Sequence, residues 1–222
     1  MGGASSIAID RELAGTQVTQ SQSAIVSLMM PIWYMKDKLT STEVSIAKAA
    51  WNQIENGSSE YERLKASDPS FKFDSCIEWF YKTFYERLFE IHPVAKPMFK
   101  DPTKQGQFLV ALFSFVFTAI DSKDNFNKRL ASLANSHNEK GVKATEYGLI
   151  GTVMFYTLKK CLGADYTREV DIAWKKIFSR MLKVIVPLAV DHELKSHSVN
   201  QKLRLETFSK DSYIFSHDSG KK

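Results

Sequence analysis

Residues Arg129–Tyr147 read RLASLANSHNEKGVKATEY. His137 lies four residues after Leu133, so on a helix of about 3.6 residues per turn the two share a face, with Leu130 and Ala134 beside them. Gly141 stands just past the expected helix end, where the chain must turn through the left-handed region. The stretch therefore predicts a helix whose apolar face carries one imidazole near its end, then a corner. Taken alone, such a histidine also reads as an ordinary core or surface residue hydrogen-bonded to a neighbour.

Working outward, the 222 residues are 44% hydrophobic and 12% aromatic, enough for one sizeable core. Fifteen Phe, eight Tyr and four Trp suit a large apolar cavity. Net charge is +5, but the basic residues are scattered among 25 acids rather than gathered in a stripe, which argues against nucleic-acid binding. Cys76 and Cys161 are far apart and lack metal-ligand spacing, and no secretory leader is evident, so a reduced, cytoplasmic setting is expected. No apolar run reaches the roughly 18 to 20 residues needed to span a bilayer. The sequence holds no P-loop, Gly-rich dinucleotide turn or Ser/His/Asp arrangement.

Helical signals fill the middle of the chain. Thr40-Ser41-Thr42-Glu43 has capping-box spacing, and Val44, Ala47, Ala50, Trp51 and Ile54 follow with helical period. Residues 57–74 are mostly polar and read as an insertion. A second helix is expected from Ser75 to Ile91, with Ile77, Tyr81, Phe84, Tyr85 and Leu88 on one face; His92-Pro93 then opens a new turn. Asp101-Pro102 opens a third, on which Gln105, Leu109, Leu112 and Val116 share a face. Further helices are expected over 143–162 and from Thr167 to about His192. The last turns its Ala173, Trp174, Ile177, Phe178, Met181 and Ile185 inward and is kinked or weakened by Pro187.

Trp51, Tyr85, His92-Pro93, Phe99, Gln105, His137, Gly141, Tyr147 and Trp174 arrive in an order and at intervals that resemble the globin family, in particular flavohaemoglobin-type single-domain globins. Phe99 lies 14 residues after Tyr85, Gln105 lies 32 before His137, and Tyr147 lies ten after it. The segment TLKKCLGADYT is similar to the same region of neuroglobins. The resemblance covers roughly 39–193 and implies an all-α globin fold, a three-over-three helical sandwich. It implies haem b, an iron protoporphyrin, with His137 as proximal iron ligand and Phe99, Leu109, Leu133, Val142 and Tyr147 in the pocket. It makes Tyr85 and Gln105 the distal, ligand-facing donors; a rival register would use Gln107 and Ala111. The acid that completes the proximal network falls to Asp191, with Glu193 as rival.

That resemblance implies reversible, high-affinity binding and transport of dioxygen, and reaction with nitric oxide or other diatomic ligands, including dioxygenation of nitric oxide with electrons from a separate reductase. The alternative is a membrane-associated haem-based oxygen or redox sensor. Residues 1–38 form an N-terminal extension beginning Met-Gly-Gly-Ala-Ser-Ser, which fits N-myristoylation at Gly2. One myristoyl chain binds a membrane only marginally, so a second contact with the membrane surface is required. Ala24–Met35 is a candidate for that contact and equally for packing back on the domain. Residues 194–222, with six basic and three acidic side chains, read as a polar C-terminal tail.

Overall fold

The computed structural model describes residues 20–217, and all regular structure among them is helical. The helices are α1 (Gln20–Met29), α2 (Ser41–Asn56), α3 (Ser59–Ser67), α4 (Cys76–Ile91), α5 (Pro102–Ala119), α6 (Lys123–Glu139), α7 (Glu146–Leu162) and α8 (Arg168–His217), with short 3-10 turns at Pro93–Met98 and Gly163–Asp165. Helices α2, α5 and α6 lie over α4, α7 and α8, with α2 and α6 on α8, α5 on α4 and α4 on α7. The all-α sandwich expected from sequence is present.

Local chemistry sets most helix starts. Thr40 accepts from the Glu43 amide while Glu43 reaches back to the Thr40 amide, a complete capping box. Ser75 and Asp101 cap α4 and α5 through their side chains. Between the two layers, Trp51 of α2 meets Phe80 of α4 and Phe113 of α5 at centroid distances of 5.3 Å, and Trp174 of α8 at 6.0 Å. All four rings are buried. At Gly106 the third and second expected helices come close: a Cβ there would lie 2.5 Å from Cγ of Tyr81. Only glycine fits that crossing of α4 and α5.

Two regions differ from the sequence reading, and in a third one of its two open alternatives is seen. The stretch 57–74 contains α3, capped by Ser58, and its Tyr61, Phe71 and Phe73 pack with Trp79 as a small aromatic cluster. The last helix does not stop near His192 but continues to His217. Pro187 removes one ladder hydrogen bond without ending it, and no glycine or proline follows before His217. The segment after α1 packs back on the domain. Trp33 Nε1 donates to the Gly148 carbonyl at 3.2 Å, and the Met35 amide donates to Ser179 Oγ at 2.9 Å. An added Cβ at Gly148 would meet Pro31 at 3.0 Å, and one at Gly151 would overlap the Trp33 ring, so two glycines of α7 form the notch that receives this strap. Gly2 lies outside the described residues. No described helix is long and apolar enough to cross a membrane.

Candidate functional site

One largely apolar cavity lies between α4, α5, α6, α7 and α8, and every pocket residue expected from the sequence lines it: Tyr85, Phe99, Gln105, Leu109, Leu133, His137, Val142 and Tyr147. Residues spread over more than 60 positions are thus brought to one place by the sandwich.

On the α6 side the geometry follows from the corner. Gly141 adopts φ of 79°, which lets the Val142 amide reach back to the His137 carbonyl at 3.1 Å. Val142 and His137 thereby line the same cavity. His137 Nδ1 and Tyr147 Oη are both buried with no hydrogen-bond partner among the described residues, and their rings are 5.8 Å apart. A buried polar atom without a partner costs about 1–3 kcal/mol, so such a pair marks a site rather than filler. Burial, aided by nearby Lys140, pushes the imidazole below the ordinary histidine value of 6.5 and keeps it neutral. Burial raises the Tyr147 hydroxyl as well, and the Glu146 and Glu193 carboxylates add to the effect.

Of the two acids left open by the sequence, Glu193 faces this corner, accepting from the Ala144 amide at 2.7 Å. Asp191 meets Lys195 one turn along its own helix at 2.6 Å. Two residues of offset on a helix exchange an inward for a sideways direction, which is why spacing alone could not choose.

The opposite wall comes from α4 and α5. Tyr85 is buried among Phe84, Phe89 and Phe99, at centroid distances of 5.3, 5.9 and 5.1 Å. Burial raises its hydroxyl well above the ordinary value, so it remains an O–H donor. No other described residue holds that hydroxyl. Gln105 lines the cavity, whereas Gln107 and Ala111 are exposed, so the rival register is not the one adopted.

Sequence reasoning missed a bridge at the cavity edge. His92 Nε2 donates to Glu146 Oε1 at 2.8 Å, and Glu146 Oε2 accepts from the Lys143 amide at 2.6 Å. Both residues line the cavity. They are 54 positions apart, and no local pattern signals such a pair. Met98, Phe108, Leu149 and Leu182 are among the further lining residues.

The residues fit the iron porphyrin that the resemblance implies. The cavity offers aromatic and aliphatic walls, one neutral imidazole, and unpartnered polar atoms where a proximal network would sit. With Nδ1 sealed, Nε2 is the nitrogen such a group would reach.

The family model described as Globin matches residues 82–185. The chain is 24% identical over 106 residues to a flavohemoprotein of Rhizobium meliloti (strain 1021), covering 46% of this chain and 26% of that protein. It is 26% identical over 144 residues to a flavohemoprotein of Oceanobacillus iheyensis, covering 63% of this chain and 34% of that protein. It thus spans only a quarter to a third of the length of these curated relatives. A solved structure titled an engineered carbene transferase, from a proposed nitric oxide dioxygenase of Rhodothermus marinus, has a TM-score of 0.53 and 17% identity, covering 73% of this chain and 99% of its own. At that identity the likeness speaks to the fold alone.

Proposed function

We propose, from the premise that residues 82–185 are a globin domain, that this chain holds haem b through His137, binds dioxygen tightly and converts nitric oxide to nitrate with electrons from a separate reductase. The observation that carries this reading is one buried neutral imidazole and two hydrogen-bond donors, Tyr85 and Gln105, brought from different helices to one apolar cavity. When bound, the haem supplies an iron that takes diatomic ligands and at which oxygen and nitric oxide can combine.

The chain's own residues do the rest. His137 would present Nε2, while Tyr147 lies beside the ring and Glu193 holds the Ala144 amide of the same corner. Tyr85 Oη–H and the Gln105 side-chain N–H group are donors aimed at the charge that ligand oxygen develops, and in a dry cavity such charge-assisted bonds are stronger than neutral ones. The only other lining imidazole is His92, whose Nε2 is engaged by Glu146. With His92 so engaged, His137 is the imidazole that would hold the iron.

The test is product formation. Reduced, oxygen-saturated haem protein mixed with nitric oxide should yield nitrate in a one-to-one ratio, and Tyr85→Phe should lower the yield by losing oxygen first. Oxygen binding with no nitrate would remove the dioxygenase step.

A second reading, a membrane-associated haem sensor, is favoured by the strap. Pro31 and Trp33 sit on α7 at Gly148, the neighbour of Tyr147, and Trp33 meets Phe178, a cavity residue, at 6.2 Å. An event at the N-terminal segment, such as acylation at Gly2, would then reach the cavity wall. Ligand-dependent protection of this segment from proteolysis would support sensing; identical cleavage with and without ligand would count against it.

A further inference from the structure

The rim of the cavity has a character that its interior does not share. Met98 and Phe108 line the cavity yet are 44% and 62% exposed, and Val94, beside the lining residue Ala95, is 73% exposed. These apolar side chains share a short run with Lys96, Lys100 and Lys104, all three exposed. None of the three amines joins an ion pair among the described residues. Asp101, the one acid in the run, is engaged at the start of α5, accepting from the Lys104 amide at 3.0 Å. An apolar centre bordered by three unpaired lysines against one carboxylate, a net positive balance, is the anatomy of an interface, not of an ordinary solvated corner.

We propose that this rim is the docking face for a small acidic electron-carrier protein, which delivers one electron at a time to the cofactor held inside. The inference rests on the haem reading above. Two arguments select this occupant. Uncompensated lysines steer an acidic partner and raise its association rate at low salt. Met98 and Phe108 both line the cavity and are exposed, so a partner seated on them would lie against the cavity that would hold the cofactor. In the step itself the carrier, a one-electron-reduced flavin or iron–sulfur protein, loses one electron and the ferric iron gains it. No bond is made or broken and no proton need cross the interface.

The experiment uses the full chain and a flavodoxin as the acidic probe. Reduction of the ferric haem protein by reduced flavodoxin should slow about tenfold or more between low and high salt. The triple variant Lys96→Glu, Lys100→Glu, Lys104→Glu should be slow at low salt and lose that salt dependence, while its reduction by dithionite and its optical spectrum stay as in the parent. Val94→Ser should weaken docking and keep the salt dependence. A second readout needs no electron transfer. Calorimetric titration with oxidised flavodoxin at low salt should show binding to the parent and none to the triple variant.

Equal rates and equal binding for parent and variant would overturn the proposal, as would a parent that shows no salt-dependent binding. So would a triple variant that loses cosedimentation with phosphatidylserine vesicles yet is reduced by flavodoxin as before, which would make the rim a lipid-facing surface. Failure to take up haem would end the functional reading, while titration of the haem-free protein would still decide whether the rim binds the acidic carrier.

Discussion

The two walls of the cavity use similar residue types and hold them in different ways. On the α6 side, His137 Nδ1 and Tyr147 Oη are sealed from solvent, and a glycine corner and the Glu193 carboxylate fix the backbone around them. On the α4 and α5 side, Tyr85 is buried among rings, but the wall runs out through Gln105 to the exposed Phe108 and Met98. One wall is therefore built to hold a ligand nitrogen neutral and in place. The other is built to meet a small ligand and to open towards solvent. Burial shifts the titrating groups of both walls, but only the second carries lining side chains that are themselves largely exposed.

Changes on the open wall should be the more costly for ligand exchange, and those on the sealed wall for the state of the imidazole. The largest effect is expected from Gly106→Val. A Cβ there would press on Tyr81, one turn before Tyr85, at 2.5 Å, so α5 must move off α4. We expect a loss of about 1–3 kcal/mol in a urea melt, and a disturbed distal wall. Unchanged stability would mean the crossing is looser than the structure has it.

Tyr85→Phe comes next. Removing one hydrogen bond worth at least about 1.4 kcal/mol should speed oxygen release about tenfold or more, measured by stopped-flow displacement. Gln105→Leu should follow with an increase of about two- to tenfold, since a neutral amide is the weaker donor and lies nearer solvent. If Gln105→Leu exceeded Tyr85→Phe, the order of the two donors would be reversed. Glu193→Gln, on the sealed wall, should leave oxygen release within about twofold while altering the iron–histidine vibration seen by resonance Raman; the reverse pattern would erase the distinction between the walls.

The smallest effect concerns protons. The His137 imidazole in the folded, haem-free chain sits below its ordinary value of 6.5, so the unfolded chain binds more protons between the two values. Stability from this group is complete above the ordinary value and declines as pH falls through it. Urea melts of haem-free protein at pH 7.5 and 5.5 should show this decline in the parent, and less of it in His137→Phe.

Features written in neighbouring residues are legible in the sequence alone. The caps at Thr40 and Asp101, the Gly141 corner, and the four-residue steps joining Gln105 to Leu109 and Leu133 to His137 all rest on helix geometry, which needs no tertiary partner. What escapes a sequence reading depends on distant partners or helix phase. His92 and Glu146 meet only because the corner after α4 packs against the start of α7. The seat of Pro31 and Trp33 exists only once Gly148 and Gly151 turn the same way. That Glu193 reaches the Ala144 amide depends on the phase of a 50-residue helix, and the continuation of that helix past residue 193 is hidden by the polar composition that suggests a tail.

The most direct test of the central claim is the optical spectrum of the haem-supplied protein after anaerobic reduction, recorded for the parent and for His137→Ala. A broad five-coordinate ferrous band that converts on adding oxygen, and is lost in the variant, is the predicted result. Sharp six-coordinate ferrous bands in the parent, the same spectrum in both proteins, or no haem uptake would contradict it.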